Sequence, residues 1–367
     1  MLCYYHALYE GIIFMKTILK WPGGKEKELP IIRKYSPIYS GRFIEPFVGG
    51  GAVFFDTNTK YSCINDKSTE LINLYTCVRE KNKELIKHLQ LEANEFNSLG
   101  YFVDEHSTEI LDLYLSKLSI DEYISNHNEF FSSFAEGYTN IFLKELKKNL
   151  TNKISRSAKL EKENGAISDK DRLDNIEAAM KSAYYMYIRY LQNHLSELSK
   201  GRQAAVFFFI REFCYSSMFR YNAKGEFNVP YGGISYNRKD FKKKIDYLFS
   251  NEMISKLANT DIHCEDFEPF INNLNLTEDD FIFLDPPYDS DFSTYAQNEF
   301  GREDQKRLCE CLKRTPAKIL LIIKNTDFIY NLYNNEHFNI TSFDKKYIVS
   351  FMNRNDKDVE HLVITNY

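Results

Sequence analysis

Apolar and polar positions divide the chain into three regions. From Lys16 to Leu74, short apolar runs alternate with Gly and Pro turns, which predicts strands and helices in alternation. From about Val78 to Lys256, apolar residues recur at steps of three and four, the period of a helix with one buried face. The clearest stripe comprises Ile176, Met180, Ala183, Tyr184, Tyr187 and Leu191. After Lys256 the chain returns to alternating strand and helix patterns.

Two segments interrupt the helical pattern of the middle region. The span from Lys153 to Asp174 is polar and charged, which predicts an exposed loop or a frayed helix end. The span from Phe219 to Tyr236 is rich in Gly and aromatic residues, which predicts turns or a hairpin.

The flanking regions predict a parallel α/β sheet. A short strand at Arg42–Phe47 ends in the glycine turn Gly49–Gly51, a helix begins at Ala52, and a second strand at Tyr61–Asp66 ends in an acid. This order is typical of a nucleotide-binding α/β half-domain. Further strands are predicted at Phe281–Leu284, Lys318–Ile323 and Val359–Ile364.

Composition narrows the class of protein. The 367 residues include 47 Lys and Arg against 52 Asp and Glu, a net charge of −5. A uniformly basic nucleic-acid coat is therefore excluded, and a polyanion must be held by local clusters of charge. The mean hydropathy is −0.45, and no apolar run approaches the roughly 18 residues of a spanning helix, so we expect no membrane protein.

The cysteines predict neither a disulfide framework nor a metal site. There are seven, an odd number, and none forms a Cys-x-x-Cys pair, which is typical of reduced thiols in a cytoplasmic protein. Residues 1–14 lack a basic start and form a poor secretory signal. We treat them as an extension before Met15, a candidate start.

The glycine turn at Gly49–Gly51 can bring a ligand close to backbone N–H groups at a helix start. Phe54 stands where a dinucleotide fingerprint has its third glycine, which disfavours a nicotinamide dehydrogenase. The spacing of Asp66 from the glycine turn is close to that at which an acid at a strand end contacts ribose hydroxyls. An equally good interpretation is that Asp66 caps a helix that starts at Lys67.

The most specific motif is Asp285-Pro286-Pro287-Tyr288 (the diproline corner) after an apolar strand. Two prolines stop both a sheet ladder and a helix, which predicts a stiff corner carrying a carboxylate, a carbonyl and an aromatic ring. Such a corner can accept both N–H bonds of a planar amino group while the ring stacks on its face.

Together these segments resemble the Dam-like adenine-specific DNA methyltransferases, the alpha group of amino-methyltransferases. The resemblance covers most of both flanks and little of residues 80–200. The motifs that carry it, in the order of that family, are Lys20–Lys25, Glu45–Gly51, Asp66, Arg220–Asn222 with Gly225–Gly232, and Asp285–Tyr288.

The resemblance implies a class I (Rossmann-like) methyltransferase sheet from residues 1–79 and 257–367. A mainly helical target-recognition domain of residues 80–256 would be inserted, with a DNA-contacting hairpin near 219–236. It implies S-adenosyl-L-methionine as cofactor, held by Trp21, Lys25, Glu45, Phe47, Gly49, Gly51, Asp66, Asp266, Phe267 and Asp285. The catalytic residues would be Asp285, Pro286, Pro287 and Tyr288.

For Asp266 and Phe267, a strand end followed by a turn is an equally good interpretation. The resemblance also assigns Tyr215, Arg220 and Asn222 to DNA contacts. Between Phe219 and Phe249, seven Lys and Arg outnumber three acids, which suits phosphate contacts. Residues Tyr215–Met218 have the sequence Tyr-Ser-Ser-Met, whereas members of that family often have Tyr-Asn-Gly-Leu. The resemblance therefore does not imply that the target sequence is GATC.

The expected activity is site-specific methylation of the exocyclic N6 of adenine in duplex DNA, with base flipping. We expect a monomer or weak dimer in the cytoplasm, with duplex DNA as partner, no membrane, and a functional link to a restriction endonuclease. One alternative is an RNA adenine or protein glutamine methyltransferase, which usually has Asn in place of Asp285. Another is a catalytically silent DNA-binding partner.

Overall fold

The computed structural model describes residues 15–287, 300–346 and 358–367, so Tyr288 lies outside the described residues. The chain forms two compact units. The sheet unit comprises the chain up to Arg79 together with residues from Ser250 onward, and the helical unit comprises Glu80–Phe249. No described helix combines the length and the apolar character needed to cross a membrane.

Seven strands of the sheet unit form one sheet in the order β3-β2-β1-β4-β5-β7-β6. The strands are β1 Phe43–Glu45, β2 Ser62–Asn65, β3 Thr260–His263, β4 Phe281–Leu284, β5 Lys318–Lys324, β6 Asn339–Lys346 and β7 Asp358–Thr365. All neighbours pair in parallel except β7, which runs antiparallel to β5 and β6. This sheet confirms the predicted α/β, Rossmann-like class.

The α-helices of the described residues are, in chain order, α1 Leu29–Tyr35, α2 Ala52–Asp56, α3 Thr69–Arg79, α4 Lys83–Glu105, α5 Ser107–Tyr114, α6 Ile120–Asn126, α7 Asn128–Ser132, α8 Thr139–Asn164, α9 Asp169–Gln192, α10 Lys200–Phe213, α11 Phe241–Leu248, α12 Asn251–Ala258, α13 Phe267–Asn273, α14 Arg302–Lys313 and α15 Asp327–Tyr333. Helices α4–α11 form the helical unit, and the others belong to the sheet unit. Short 3₁₀ turns lie at Leu195–Glu197, Tyr215–Ser217 and Ile234–Tyr236.

The core of the sheet unit explains why its strands read as continuous apolar runs. Strand β4 is buried at every position, because a parallel strand in the middle of a sheet is covered on both faces. Its residues Ile282 and Leu284 pack in one cluster with Ile319 and Leu321 of β5. Leu308, Cys309, Cys311 and Leu312 of α14 cover the same cluster.

The second boundary between the units differs from the expected position at 256/257. Helix α12 belongs to the sheet unit, which begins again at Ser250. It packs against α3 and β3, and the Ser62 N–H donates to the carbonyl of Asn259 just beyond it, 3.1 Å away. Helix α11 ends at Leu248, and the Ser250 side chain caps α12 by accepting from the Met253 N–H at 3.3 Å. The sequence predicts helix on both sides of this cap, so it does not show that the two helices belong to different units.

The prediction of a loop or frayed end across Lys153–Asp174 is wrong for most of that span. Helix α8 continues to Asn164, and α9 begins at Asp169. Ile154 and Ser157 extend the buried face that begins with Phe142, so α8 keeps a packing surface although most of its last turns are polar. The Ser168 side chain then caps α9 by accepting from the Asp171 N–H, 3.1 Å away.

The predicted apolar stripe on α9 is confirmed, since all six of its residues are buried. The same helix also buries an ion pair between Glu177 and Lys181, 2.9 Å apart. Lys181 lies 4.5 Å from the centre of the Phe96 ring, and burial lowers its pKa. The partner acid and the aromatic face compensate the cost of burying the ammonium group.

The segment predicted as turns or a hairpin folds back on itself through isolated bridges. Cys214 pairs antiparallel with Tyr231, and Tyr221 pairs with Phe227. At the base of this segment, the buried Arg211 donates to the carbonyls of Ser217 and Met218, the latter at 2.9 Å. Its guanidinium also stacks over the Phe219 ring at 3.7 Å, and burial lowers its pKa.

Ser216 and Ser217 both adopt left-handed backbone conformations, with φ of 52° and 50°. These positions match the Asn-Gly pair of the related motif, the two residue types that tolerate positive φ best. Serine is less suited to this backbone conformation than asparagine or glycine. The bonds from Arg211 help to hold it.

We expect Ser216→Gly to raise the free energy of unfolding by about 1 kcal/mol, because glycine adopts positive φ without strain. Ser133→Gly is the matched control, since Ser133 is exposed with φ of −74°. The control should lower stability through the greater freedom of the unfolded chain. Denaturant unfolding of both variants measures the difference, and a loss of stability in Ser216→Gly would contradict the strain.

Candidate active site at the carboxyl ends of the strands

The glycine turn after β1 is a close-packed surface. Gly49 and Gly51 have φ of 46° and 73°, which side chains rarely adopt. A Cβ atom on Gly49 would lie 2.7 Å from Cδ1 of Trp21, so the indole ring packs directly on the turn. The Tyr75 hydroxyl donates to the Gly49 carbonyl at 3.0 Å and fixes the turn from its other side.

Asp66, at the end of β2, holds this turn. Its Oδ2 accepts from the Gly49 N–H and its Oδ1 from the Ser68 N–H, both at 2.9 Å. Burial raises the pKa of Asp66, and these N–H groups oppose the rise. Ser68, whose Oγ accepts from the Leu71 N–H at 3.3 Å, caps α3 in place of Asp66. The ribose contact of Asp66 stays a prediction.

Lys25 and Asp285 come together from opposite ends of the chain. Lys25 Nζ lies 2.5 Å from Asp285 Oδ2, and the two side chains are 3% and 19% exposed. Lys25 Nζ also donates to the Gly23 carbonyl at 3.2 Å. The lysine of the first motif thus orients the carboxylate of the diproline corner.

Glu45, at the end of β1, is a buried carboxyl group among other acids. It is 3% exposed, and its Oε2 has no hydrogen-bond partner among the described residues. Burial, and then the charge of Asp285, raise the pKa of Glu45 well above its usual value. The Phe54 N–H and the Lys256 ammonium oppose that rise.

Lys256 is a half-buried cation that sequence reasoning missed. Burial lowers its pKa to about 8, against the opposing charges of Glu45 and Asp56. It donates to the Thr57 carbonyl at 2.7 Å and lies 4.8 Å from the centre of the Phe54 ring. Lys256 is a single lysine at the end of the middle region and forms no sequence motif, so the sequence pattern did not identify it.

Asp266 and Phe267 have structural contacts that fit the strand-end interpretation. Asp266 caps α13 by accepting from the Glu268 N–H at 3.1 Å, and it pairs with Arg307 at 2.7 Å. Phe267 is buried with its ring centre 5.6 Å from that of Phe47. The cofactor contacts of these residues stay predictions.

Asn65 was also missed, and it ties three loops of the site together. Its side-chain amide donates to the carbonyls of Pro46 and Glu265, at 3.1 and 3.0 Å. Its Oδ1 accepts from the Glu265 N–H at 3.0 Å. The residue directly before Asp66 therefore fixes the ends of β1, β2 and β3 relative to one another.

The residues predicted to bind DNA share one segment of the helical unit. Tyr215 is exposed. Arg220 is also exposed, and its guanidinium donates to Oδ1 and to the carbonyl of Asn228, both at 2.8 Å. The Asn222 side chain accepts from the N–H groups of Lys224 and Glu226, at 2.9 and 3.0 Å, so it shapes the hairpin tip.

One group of side chains among the described residues could ligate a metal ion. His106, Glu109 and His127 have ligand atoms within 4.8 Å of one another. His127 Nε2 lies 2.9 Å from Glu109 Oε2, an ordinary ion-pair geometry. The group belongs to the helical unit, whereas the glycine turn and the diproline corner belong to the sheet unit.

The sheet unit thus collects three carboxyl groups, those of Glu45, Asp66 and Asp285, at the ends of three adjacent strands. Their charges interact, because both Asp285 and Asp66 raise the pKa of Glu45. A cationic ligand would relieve this repulsion and give the Glu45 Oε2 atom a partner. The arrangement suits a ligand with positive charge that lies against a glycine turn.

Comparisons with known proteins agree with this chemistry. The chain matches the family described as D12 class N6 adenine-specific DNA methyltransferase over residues 21–173 and 139–349. It is 27% identical to the type II methyltransferase M.CviBI of Paramecium bursaria Chlorella virus NC1A, over 96% of this chain and 100% of the relative.

Two further relatives cover most of the chain. The type II methyltransferase M.MjaIII of Methanocaldococcus jannaschii is 28% identical, over 96% of this chain and 99% of the relative. The DNA adenine methylase of Haemophilus influenzae is 24% identical, over 88% and 84%. With its Rossmann-like sheet, glycine turn and diproline corner, the chain belongs to the D12 class of N6 adenine-specific DNA methyltransferases.

Proposed function

We propose that this DNA adenine methyltransferase uses S-adenosyl-L-methionine and acts on an adenine flipped out of duplex DNA. The observation that carries the proposal is the Lys25–Asp285 ion pair, 2.5 Å long, in the same unit as Glu45, whose Oε2 atom has no hydrogen-bond partner among the described residues. One acid is oriented by a cation, and the other has a free acceptor atom.

The donor set fits this cofactor. S-adenosyl-L-methionine supplies an electrophilic methyl group on a sulfonium ion when it is bound. Its two cationic groups, the sulfonium and the ammonium, suit the acids at the strand ends. We assign its binding to Trp21, Lys25, Glu45, Phe47, Gly49, Gly51, Asp66, Asp266, Phe267 and Asp285.

The diproline corner would hold the amino group of adenine. The lone pair of that nitrogen is delocalised into the ring, which makes it a weak nucleophile. The Asp285 carboxylate and the Pro286 carbonyl accept its two N–H bonds, and they stabilise the positive charge that develops as the methyl group arrives. The Lys25 ammonium group orients the Asp285 carboxylate, and Tyr288 is assigned to stack on the base.

An adenine inside a duplex cannot reach such a corner. The base must leave the stack, at a cost of a few kcal/mol, and contacts elsewhere must supply sequence recognition. We assign this recognition to the helical unit, through Tyr215, Arg220 and Asn222. Bidentate contact of arginine with guanine is the commonest specific contact in the major groove.

We also propose that the enzyme is a monomer or weak dimer linked to a restriction endonuclease. Two of the relatives carry the name type II methyltransferase, which supports that link. A DNA substrate favours a cytoplasmic location.

The direct test is transfer of a tritiated methyl group from S-adenosyl-L-methionine to duplex DNA, RNA and protein. We expect label in duplex DNA, recovered as N6-methyladenine, and a loss of about 10²-fold or more in Asp285→Ala. Glu278→Ala, an exposed acid in the loop before β4, should keep the full rate. Label only in RNA or protein, or full activity in Asp285→Ala, would contradict the proposal.

We expect cofactor binding to release a proton through Glu45. Its pKa is raised in the free protein, and a bound cation lowers it, so binding shifts the group towards its ionised form. Calorimetry in buffers of different ionisation enthalpy measures this release, which should disappear in Glu45→Gln. Glu92→Gln, a similarly buried acid of the helical unit, should leave it unchanged. Equal release in wild type and Glu45→Gln would contradict this role.

We expect Arg220→Ala to relax sequence discrimination. The ratio of kcat/KM between the preferred site and a site with one changed base should fall about 10-fold or more, the value of one bidentate contact. Lys224→Ala, at the tip of the same hairpin, should weaken binding of all sequences alike. An unchanged ratio in Arg220→Ala would exclude it as a base reader.

A further inference from the structure

The two prolines of the diproline corner carry no backbone N–H donors. Pro286 and Pro287 lack N–H groups, and the pairing of β4 with β5 ends at Leu284 with Leu321. A neighbour can therefore hold the backbone of Pro286 and Pro287 only through their carbonyl groups.

Gln305 holds it through one of these carbonyls. Its Nε2 donates to the Pro287 carbonyl at 3.1 Å, and the residue is fully buried, with 0% exposure. A carbonyl oxygen only accepts, so the amide group must present its NH₂ to Pro287. The Gln305 Oε1 atom is buried without a hydrogen-bond partner among the described residues.

Gln305 lies near the start of a well-anchored helix. The Gly301 N–H donates to Asp304 Oδ2 at 2.9 Å, and the Gln305 N–H donates to the Gly301 carbonyl at 3.1 Å. Arg307 ties the same helix, α14, to Glu268 at 2.8 Å. The helix therefore gives the amide group a fixed position from which to hold the corner.

A contribution to folding stability does not by itself explain why a glutamine occupies position 305. Burying an amide with one of its acceptor positions unused costs free energy, and an apolar side chain of similar size would pack into the same core at lower cost. Leu308 and Leu312 of the same helix do so. A buried Gln is favoured where its donor has a specific task.

We propose that Gln305 is a positioning residue for the methyl transfer. By fixing Pro287 it fixes the peptide that carries the Pro286 carbonyl and the orientation of Asp285, the two groups assigned to accept from the amino group of adenine. The proposal rests on the proposed function. Gln305 contacts neither substrate nor cofactor, and it acts through the backbone of the corner.

The test is single-turnover methyl transfer with the full chain and duplex DNA. We expect Gln305→Leu to slow the transfer step about 10²-fold, the effect of a small misplacement of reacting groups. The dissociation constant for S-adenosyl-L-methionine should change little, because the Lys25–Asp285 pair remains. Cys309→Ala is the control, since Cys309 is fully buried on the next turn of α14 and does not bond to the corner.

Gln305→Glu separates positioning from packing. The new carboxyl group has the same shape, and it can donate to the Pro287 carbonyl only when it is protonated. We therefore expect its transfer rate, relative to wild type at the same pH, to recover as the pH falls. Packing alone predicts no such dependence, and this readout holds even if Gln305→Leu fails to fold.

Failure of the proposed function and failure of the proposed role of Gln305 give different experimental results. If the unaltered chain transfers no methyl group to duplex DNA, the proposed function fails and Gln305 loses its role with it. If the unaltered chain is active and Gln305→Leu matches it, only the role of Gln305 is overturned. A constant relative rate of Gln305→Glu at all pH values would also overturn that role.

Discussion

The parallel pairing of β1 between β2 and β4 is the constraint on which the site depends. Phe43 of β1 is in register with Ser62 and with Phe281, so the three strands end at one edge of the sheet. The strand order reverses at β1, and in open α/β sheets ligands bind in the crevice at such a point. Carboxyl groups from both flanks of the chain, Glu45 and Asp66 from one and Asp285 from the other, meet there for this reason.

Bringing these carboxyl groups together costs electrostatic free energy, and the protein offsets this cost to different extents at the three acids. Asp66 is stabilised by backbone N–H groups and Asp285 by Lys25, whereas the Oε2 atom of Glu45 is left without a partner. Burying an unsatisfied acid beside other acids lowers stability. Such local cost is typical of sites where binding of a ligand supplies the missing interaction.

The sequence predicted the features that are contiguous in the chain. The glycine turn, the diproline corner, strand β4 and the stripe on α9 each have a local pattern with a physical meaning. Asn65, Arg211, Lys256 and Gln305 could not be predicted this way, because each acts through backbone carbonyls. For Asn65 and Lys256 the partners lie 200 and 199 residues away. The boundary at Ser250 was missed because helices lie on both sides of it.

The proposed methyl transfer requires that the diproline corner hold the amino group of a flipped adenine. A crystal structure of the protein with duplex DNA and a non-reactive cofactor analogue tests this requirement. We expect an extruded adenine whose N6 lies within hydrogen-bond distance of the Asp285 carboxylate and the Pro286 carbonyl. An adenine that stays stacked in the duplex, or one that is bound away from this corner, would contradict it.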